Sequence, residues 1–377
     1  MILFLTYNDQ PSGVYWSQVT DVVAHLNTLG GPRVRLLALV SARDYFGIRK
    51  NIMAHSPDAV VLPMVPRMKH WRANAGIVAL ACRWLRPSGI MARGALATWL
   101  ALRARDKGLV KNVCFDARGA YAAEWEEYRI VDDDALIGQF REVEGEAVRS
   151  ADVRLAVSEA LVRHWQDRYG YTGKRHVVIP CTLGRAHEGL GRPTDPMREA
   201  LGFAESDVVL VYSGSVAGWQ SFELLGGLLR DALGGQPKLK LLFLSPPDTG
   251  IDRLAAAFPG RVLRKFLIAE EVPRALQAGD VALLVREDTL TNRVASPTKF
   301  AEYLAAGLPV LISAHIGDLS ALVEAHGLGA VVREDAALPT MERPAMADRE
   351  RYRSFALAHF TKKGRSAEYL ELMGALS

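Results

Sequence analysis

A short apolar run, Val281-Ala282-Leu283-Leu284-Val285, leads into Arg286, a polar loop, and then Ser296-Pro297-Thr298-Lys299-Phe300-Ala301-Glu302-Tyr303. Ser followed by Pro suits the N-cap and first position of a helix: the Ser oxygen accepts a backbone N–H, and Pro has none to leave unsatisfied. The spacing predicts a helix of about three turns that stops at Gly307, with Pro309 opening the next strand. Outward-facing N–H groups at the Ser296 end would favour a phosphate. Lys299 and Glu302, three residues apart, share one helix face. A cation beside phosphates and a carboxylate that accepts hydrogen bonds from ribose hydroxyls together meet the needs of a nucleoside diphosphate. Arg286, at the strand end, would add a second cation. The plainer alternative is that Lys299 and Glu302 form a surface ion pair.

These groups need a parallel sheet to position them, and the pattern supports one. Short β-branched runs alternate with longer helical stretches. In the first half, strands are expected near Ile2–Thr6, Val34–Val40, Ala59–Leu62, Asn112–Phe115, Asp152–Val157 and His176–Ile179. A helix after Pro11-Ser12-Gly13 should run to about Leu29, and another should begin at the N-cap Ser158. Periodicity lapses between Pro180 and Pro196, a Gly- and Pro-bearing stretch that reads as a linker. A second series then places strands near Val208–Tyr212, Lys240–Leu244, Val262–Phe266, Val281–Val285, Pro309–Ile312 and Ala330–Val332. Ligands of such sheets bind beyond the carboxyl ends of the strands. Two Rossmann-like domains facing each other across a cleft are expected: residues 1–185 on the acceptor side, 186–360 for the donor, and a C-terminal helix over 361–377 crossing back to the first.

Composition limits the other possibilities. At 377 residues, with 49% hydrophobic residues, the chain can bury two cores. Cys82, Cys114 and Cys181 are scattered, which argues against a disulfide framework or zinc site and for a reducing compartment. The Met1–Thr6 run lacks a basic leader and is too short for a signal peptide, and no stretch approaches the ~20 apolar residues of a membrane span. The formal net charge is only +4. Ten Lys/Arg nevertheless fall between Val61 and Asn112 against the single acid Asp106, with Trp71, Trp84 and Trp99 among them. That stretch reads either as a solvated surface or as a patch facing anionic lipid. It contains no compact nucleic-acid motif. Asp132-Asp133-Asp134 suits a helix start better than a metal site, and the nine histidines show no metal-ligand spacing.

The run Ser296-Pro297-Thr298-Lys299 through Glu302-Tyr303-Leu304-Ala305-Ala306-Gly307-Leu308-Pro309-Val310 resembles the donor-site helix of GT-B glycosyltransferases of family 4. It is most similar to the branch acting on bacterial surface polysaccharides, with its S-P-x-K-x-x-E-Y-L-A-x-G-x-P signature. The resemblance implies that Glu302 binds the donor ribose. It also assigns Ser213-Gly214-Ser215 to the first loop of the donor domain, where Gly214 and Ser215 would meet the ligand. That loop in the family carries Arg and Lys; here Arg286 and Lys299 would substitute, or else Arg264 or Lys265. The family's first glutamate, which contacts the sugar, is replaced by Val294, with Glu287 and Asp288 out of register. In the first domain, Asp116-Ala117-Arg118-Gly119 and Glu124 resemble the D-x-R-G…E pattern of the same branch. Asp116 and Arg118 could pair structurally, while Glu124 could orient hydroxyls. Ala151-Asp152 through Val157-Ser158 is similar to a further family segment, and the Asn8-to-Ser17 loop to one on the acceptor side.

The resulting expectation is a metal-independent enzyme transferring a sugar, with retention, from a nucleotide-diphosphate donor to a saccharide or lipid-linked hydroxyl acceptor. Polysaccharide or glycolipid synthesis is the implied setting, in the cytoplasm or on the inner membrane face. Arg286, Lys299 and Glu124 are the expected catalytic residues; Gly214, Ser215, Ser296 and Glu302 are expected to bind the donor. No cofactor, metal or nucleic acid is expected. Two alternatives remain: a nucleotide-sugar epimerase or hydrolase, and a non-catalytic module supporting a partner enzyme.

Overall fold

The computed structural model describes residues 1–129, 133–173, 175–191, 196–214, 222–333 and 336–377. They form two compact units. Unit 1 comprises Met1–Gly184 and Lys362–Ser377, and unit 2 comprises Arg185–Thr361.

Unit 1 is built on seven parallel strands in the order β3-β2-β1-β4-β5-β6-β7. They are β1 (Ile2–Tyr7), β2 (Val34–Val40), β3 (Val60–Pro63), β4 (Gly89–Arg93), β5 (Asn112–Ala117), β6 (Val153–Ala156) and β7 (His176–Val178). Alternate β1 residues enter opposite cores: Leu3 and Leu5 pack on one face of the sheet, Ile2 and Phe4 on the other. Helices covering both faces explain why all of β1 is buried. The Ser366–Ala375 helix completes the second core with Tyr369, Leu372 and Met373, all buried. Gly89 makes that closure fit, because a β-carbon there would lie 2.5 Å from the Leu376 carbonyl oxygen.

Unit 2 has six parallel strands in the order β10-β9-β8-β11-β12-β13. These are β8 (Val208–Ser213), β9 (Leu239–Leu244), β10 (Val262–Lys265), β11 (Val281–Leu284), β12 (Val310–Ser313) and β13 (Gly329–Val332). Beneath β8 and β11, the fully buried Asp280 accepts from the Val209 N–H at 2.8 Å and faces Arg198 at 2.9 Å and Arg349 at 3.1 Å.

Both sheets follow the doubly wound order, in which the direction of strand addition reverses between the first and fourth strands. This switch point opens a crevice at the strands' carboxyl ends. It lies between β1 and β4 in unit 1, and between β8 and β11 in unit 2. The expected strands are present, shifted by a residue or two at their ends, but β4 is an addition. Its Gly-Ile-Met-Ala-Arg sequence has one β-branched residue and lies between two helices, Ala75–Leu85 and Gly94–Asp106. Part of the expected linker is also ordered differently, since Arg185–Glu188 forms one helical turn.

Asp133 caps the Asp134–Ser150 helix through the Leu136 N–H at 3.0 Å, so the acidic run starts a helix; Asp132 lies outside the described residues. Among the described residues, no group of three or more His, Cys, Asp or Glu could hold a metal ion, and no helix is long and apolar enough to cross a membrane. No disulfide joins the three cysteines.

Candidate functional site

In unit 2 the switch point gathers residues from three segments. β8 ends at Ser213, and Gly214 follows with φ +130°, a conformation that L side chains rarely adopt. The Thr298–Ala305 helix sets Lys299 against this turn. The Lys299 ammonium lies 4.7 Å from the centre of the Tyr212 ring, with Nζ 3.5 Å from the phenolic oxygen. Burial, and then the positive charge of Arg286, hold Lys299 well below the usual lysine range; Glu302 opposes this weakly.

Tyr303, four residues after Lys299 and fully buried, ties this helix to the strand. Its hydroxyl accepts from the Ser213 N–H at 2.9 Å and lies 3.4 Å from the Ser213 carbonyl. Arg286 follows β11 and is itself buried. Its N–H donates to Ser313 Oγ at 2.8 Å, and Nη1 donates to Asn292 Oδ1 at 3.2 Å. Asn292 in turn donates to the Glu287 carbonyl at 3.0 Å, so the polar loop buttresses the guanidinium. Tyr212, Tyr303, Asn292 and Ser313 are positioning groups that sequence reasoning did not single out. Tyr303 had a discoverable signal: at i+4 from Lys299 it shares that helix face.

Ser296 does not cap this helix. It is buried, and Pro297 occupies the N-cap with ψ 133°. The first helical carbonyl acceptor is thus Pro297, whose oxygen accepts from the Phe300 N–H at 3.1 Å. Pro297 keeps an extended ψ, so Thr298 is the first helical residue and the helix starts one position later than expected. Ser215 lies outside the described residues. Glu302 is half-buried, and its carboxylate makes no hydrogen bond or ion pair with Lys299 or any other of the described residues; the surface-pair alternative does not hold. Val294 is buried as a hydrophobic residue, while Asp288 is engaged by Arg293 through contacts of 2.6 and 2.7 Å. Arg264 and Lys265 lie on β10, two strands from β8 at the sheet's edge, with Arg264 3.5 Å from Asp252.

Unit 1 carries a cavity of about 180 Å³ at its own switch point, where Tyr7 ends β1 with Asn8 and Asp9 after it, and Arg93 ends β4 with Gly94 opening the next helix. Arg93 Nε lies 3.5 Å from Asp9 Oδ2, and Nη1 lies 3.9 Å from Asp116. Asp116 is fully buried and bound by Arg118 at 2.7 Å, a structural pair. Burial raises the Asp9 carboxyl above its usual range, with Arg93 lowering it and Asp116 raising it further.

Glu124 is on the Tyr121–Tyr128 helix but is not part of the cavity wall, to which Tyr121 and Trp125 of that helix contribute. It is rotated about 100° around the helix axis from Trp125. Burial, and then Glu127, raise its carboxyl. Glu144 secures the start of this helix instead. Fully buried, it accepts from the Tyr121 and Ala122 N–H groups at 3.0 Å each and from the Tyr169 hydroxyl at 2.9 Å. Burial, outweighing those bonds, pushes Glu144 up to about 7.

No protein-family model and no curated protein sequence matches the chain. Solved structures do. Sucrose-phosphate synthase from Thermosynechococcus elongatus superposes with a TM-score of 0.71 at 16% identity, covering 98% of this chain and 96% of that one. Anabaena HepE in complex with UDP gives 0.72 at 14% identity over 99% of each chain. WaaG, a glycosyltransferase involved in lipopolysaccharide biosynthesis, gives 0.62 at 14% identity over 100% and 95%. With their two parallel sheets and flanking helices, these neighbours and the present chain share one architecture, the GT-B glycosyltransferase fold.

Proposed function

We propose that the protein transfers a sugar from a nucleotide-diphosphate donor to a hydroxyl acceptor, with retention of configuration, in the synthesis of a polysaccharide or glycolipid. The observation that carries this reading is the convergence of Gly214, Arg286 and Lys299 at the switch point of unit 2, with Glu302 one turn along the same helix as Lys299. Two basic side chains at the carboxyl ends of β8 and β11 suit a diphosphate, and a carboxylate without a hydrogen-bond or ion-pair partner among the described residues suits the ribose hydroxyls. HepE, of the same fold, has been crystallised with UDP and with UDP-glucose.

The chemistry asked of these residues is electrostatic. As the bond between the anomeric carbon and the phosphate oxygen breaks, negative charge grows on the leaving diphosphate, where Arg286 and Lys299 stabilise it. The departing phosphate takes the proton of the attacking hydroxyl, so neither a metal nor a separate base is assigned a role. A thermal-shift screen of nucleotide sugars tests the donor site, because a ligand of the folded state raises the melting temperature. Product analysis with and without saccharide acceptors tests transfer. If no nucleotide sugar shifts the transition, the reading fails; nucleotide release without a new glycoside would replace it with hydrolysis.

The proposal extends to a membrane face. Leu80 and Trp84 lie one turn apart on the Ala75–Leu85 helix and are 69% and 71% exposed, with Arg83 and Arg86 beside them. Trp71 is buried and Trp99 half-buried against it at 4.9 Å, so those two serve packing. Arg103 and Arg105 engage Glu146 and Asp152. An amphipathic helix that presents Trp, Leu and Arg fits an anionic lipid surface.

A further inference from the structure

We propose that His315 is a positioning residue of the donor site: by bridging the Arg286 carbonyl and the Asp288 carboxylate, its imidazolium staples the loop that joins Arg286 to Lys299. This rests on the nucleotide-sugar reading for what the loop binds; the staple itself is a property of unit 2.

β11 and β12 are parallel neighbours, with Ala282 to Leu284 pairing with Val310 to Ile312. Residues 287–298 separate the two basic side chains, and the turn after β12 packs on that segment: the Gly317 N–H donates to the Asn292 carbonyl at 3.2 Å. His315 belongs to this turn, between Ser313, the last residue of β12, and Gly317.

Each ring nitrogen meets an acceptor. His315 Nε2 lies 3.2 Å from the Arg286 carbonyl oxygen, which can only accept, so Nε2 carries a proton. Nδ1 lies 3.7 Å from Asp288 Oδ1. With Nε2 protonated, a neutral ring turns the Nδ1 lone pair towards that carboxylate, whereas the imidazolium turns an N–H to it. The charged form alone serves both contacts.

Ser313 already fixes the strand end, because its hydroxyl accepts the Arg286 N–H and donates to the Arg286 carbonyl, each at 2.8 Å. What His315 adds is a grip on Asp288. That carboxylate holds Arg293 at 2.6 and 2.7 Å, and the adjacent Asn292 accepts from the Arg286 guanidinium at 3.2 Å. The histidine charge therefore bears on the segment that aims the guanidinium.

The charged groups around the ring are Asp288, Arg293 on the far side of that carboxylate, and Arg286, whose carbonyl it meets. Among the described residues, neither Glu287 nor Asp318 forms an ion pair with it. Hydrogen bonds from Arg293 hold the Asp288 carboxyl below its usual range, aided by the charge of His315 and opposed by partial burial. Asp288 thus stays ionised across pH 5 to 8, where histidines change charge. The His315 side chain is 15% exposed, open enough to exchange protons and shielded enough for its charge to count.

Two measurements on the full chain test the staple. In the free protein, the Arg286 Nε–H resonance should shift between pH 5 and 8. It should stay in place in His315→Gln, whose amide keeps the carbonyl bond without the charge. Calorimetry with UDP, GDP and ADP should show the wild type binding about fivefold or more tightly than His315→Gln near pH 5, with the ratio closing towards one near pH 8. Lys299 is common to both proteins, so the ratio isolates His315. Asp288→Asn separates positioning from simple attraction. Removing a negative charge tightens diphosphate binding if attraction alone operates, whereas loss of the staple should weaken it severalfold near pH 5. Melting temperatures report that each variant is folded. An Arg286 response that persists in His315→Gln, an affinity ratio that ignores pH, or tighter binding to Asp288→Asn would each overturn the proposal. Failure of the donor reading would appear instead as no diphosphate binding to any of the proteins, with the Arg286 response retained.

Discussion

A β-carbon on Gly214 would sit 2.2 Å from the Lys299 ammonium nitrogen and 2.3 Å from the carbon that bears it. The space that a side chain would occupy at the end of β8 is taken by the lysine. Because Lys299 is flexible at its tip, Gly214→Ala should displace the ammonium and add backbone strain of about 1–3 kcal/mol at φ +130°. Calorimetry should show weaker nucleoside diphosphate binding together with a modestly lower urea midpoint. Unchanged affinity would dissociate the turn from the donor site.

Glu302→Ala should lower nucleotide-sugar affinity on the order of tenfold while sparing the fold, since a hydrogen bond to a charged group contributes ~1.5–3 kcal/mol. The carboxylate has no internal partner among the described residues, so its removal leaves nothing buried unsatisfied. Titration of the variant, with its thermal midpoint as control, decides the ribose assignment.

Binding of a diphosphate should draw a proton onto Lys299. Burial and Arg286 favour the neutral amine, and an anionic ligand reverses that preference. At pH values above the depressed lysine pKa, calorimetry in buffers of different ionisation enthalpy should therefore reveal proton uptake. Lys299→Met should abolish it, and both Lys299→Met and Arg286→Ala should lower turnover more than ground-state affinity.

Glu144 makes stability depend on pH. Its folded carboxyl is raised from 4.5 to about 7, so the folded state holds its proton more tightly than the unfolded chain. The associated stability is fully present below pH 4.5 and is lost as the pH rises through about 7. At about 1.4 kcal/mol per unit, the contribution is on the order of 3 kcal/mol. Urea midpoints across this window should fall for the wild type and lose that slope in Glu144→Gln.

Vesicle co-sedimentation reports on the exposed helix face. Pelleting should require anionic lipid, decline with salt, and drop severalfold in Leu80→Ser/Trp84→Ser, at ~1 kcal/mol per basic residue near the surface. Equal pelleting on neutral vesicles would assign Arg83 and Arg86 to ordinary solvation.

Legibility in the sequence followed the locality of the signal. Strands rich in Val, Ile and Leu, such as Val34–Val40, declare themselves through composition, and their parallel pairing follows from the helices between them. β4 was hidden because its Met and Ala read equally well as helix. With it went Arg93, which no spacing argument could bring beside Asp9. Lys299 and Glu302 were legible because one helix carries both. The Gly214 contact was not, since it joins residues from different segments. Glu124 drew attention as the carboxylate of a pattern, whereas the group anchoring its helix, Glu144, comes from the next helix and depends on tertiary packing.

The division of unit 1 into two stretches of chain bears on the order of its birth. Ser88 Oγ donates to the Leu376 carbonyl at 3.1 Å across 288 residues of sequence. Until residues 362–377 leave the ribosome, the core that holds Ile2 and Phe4 lacks Tyr369, Leu372 and Met373, and its apolar face remains open. Unit 2, continuous from Arg185 to Thr361, can complete itself first. Residues 1–184 thus wait for partners that are made after unit 2. Unit 1 is accordingly the half that an emerging chain exposes to aggregation, and the half for which slow release or a chaperone matters most.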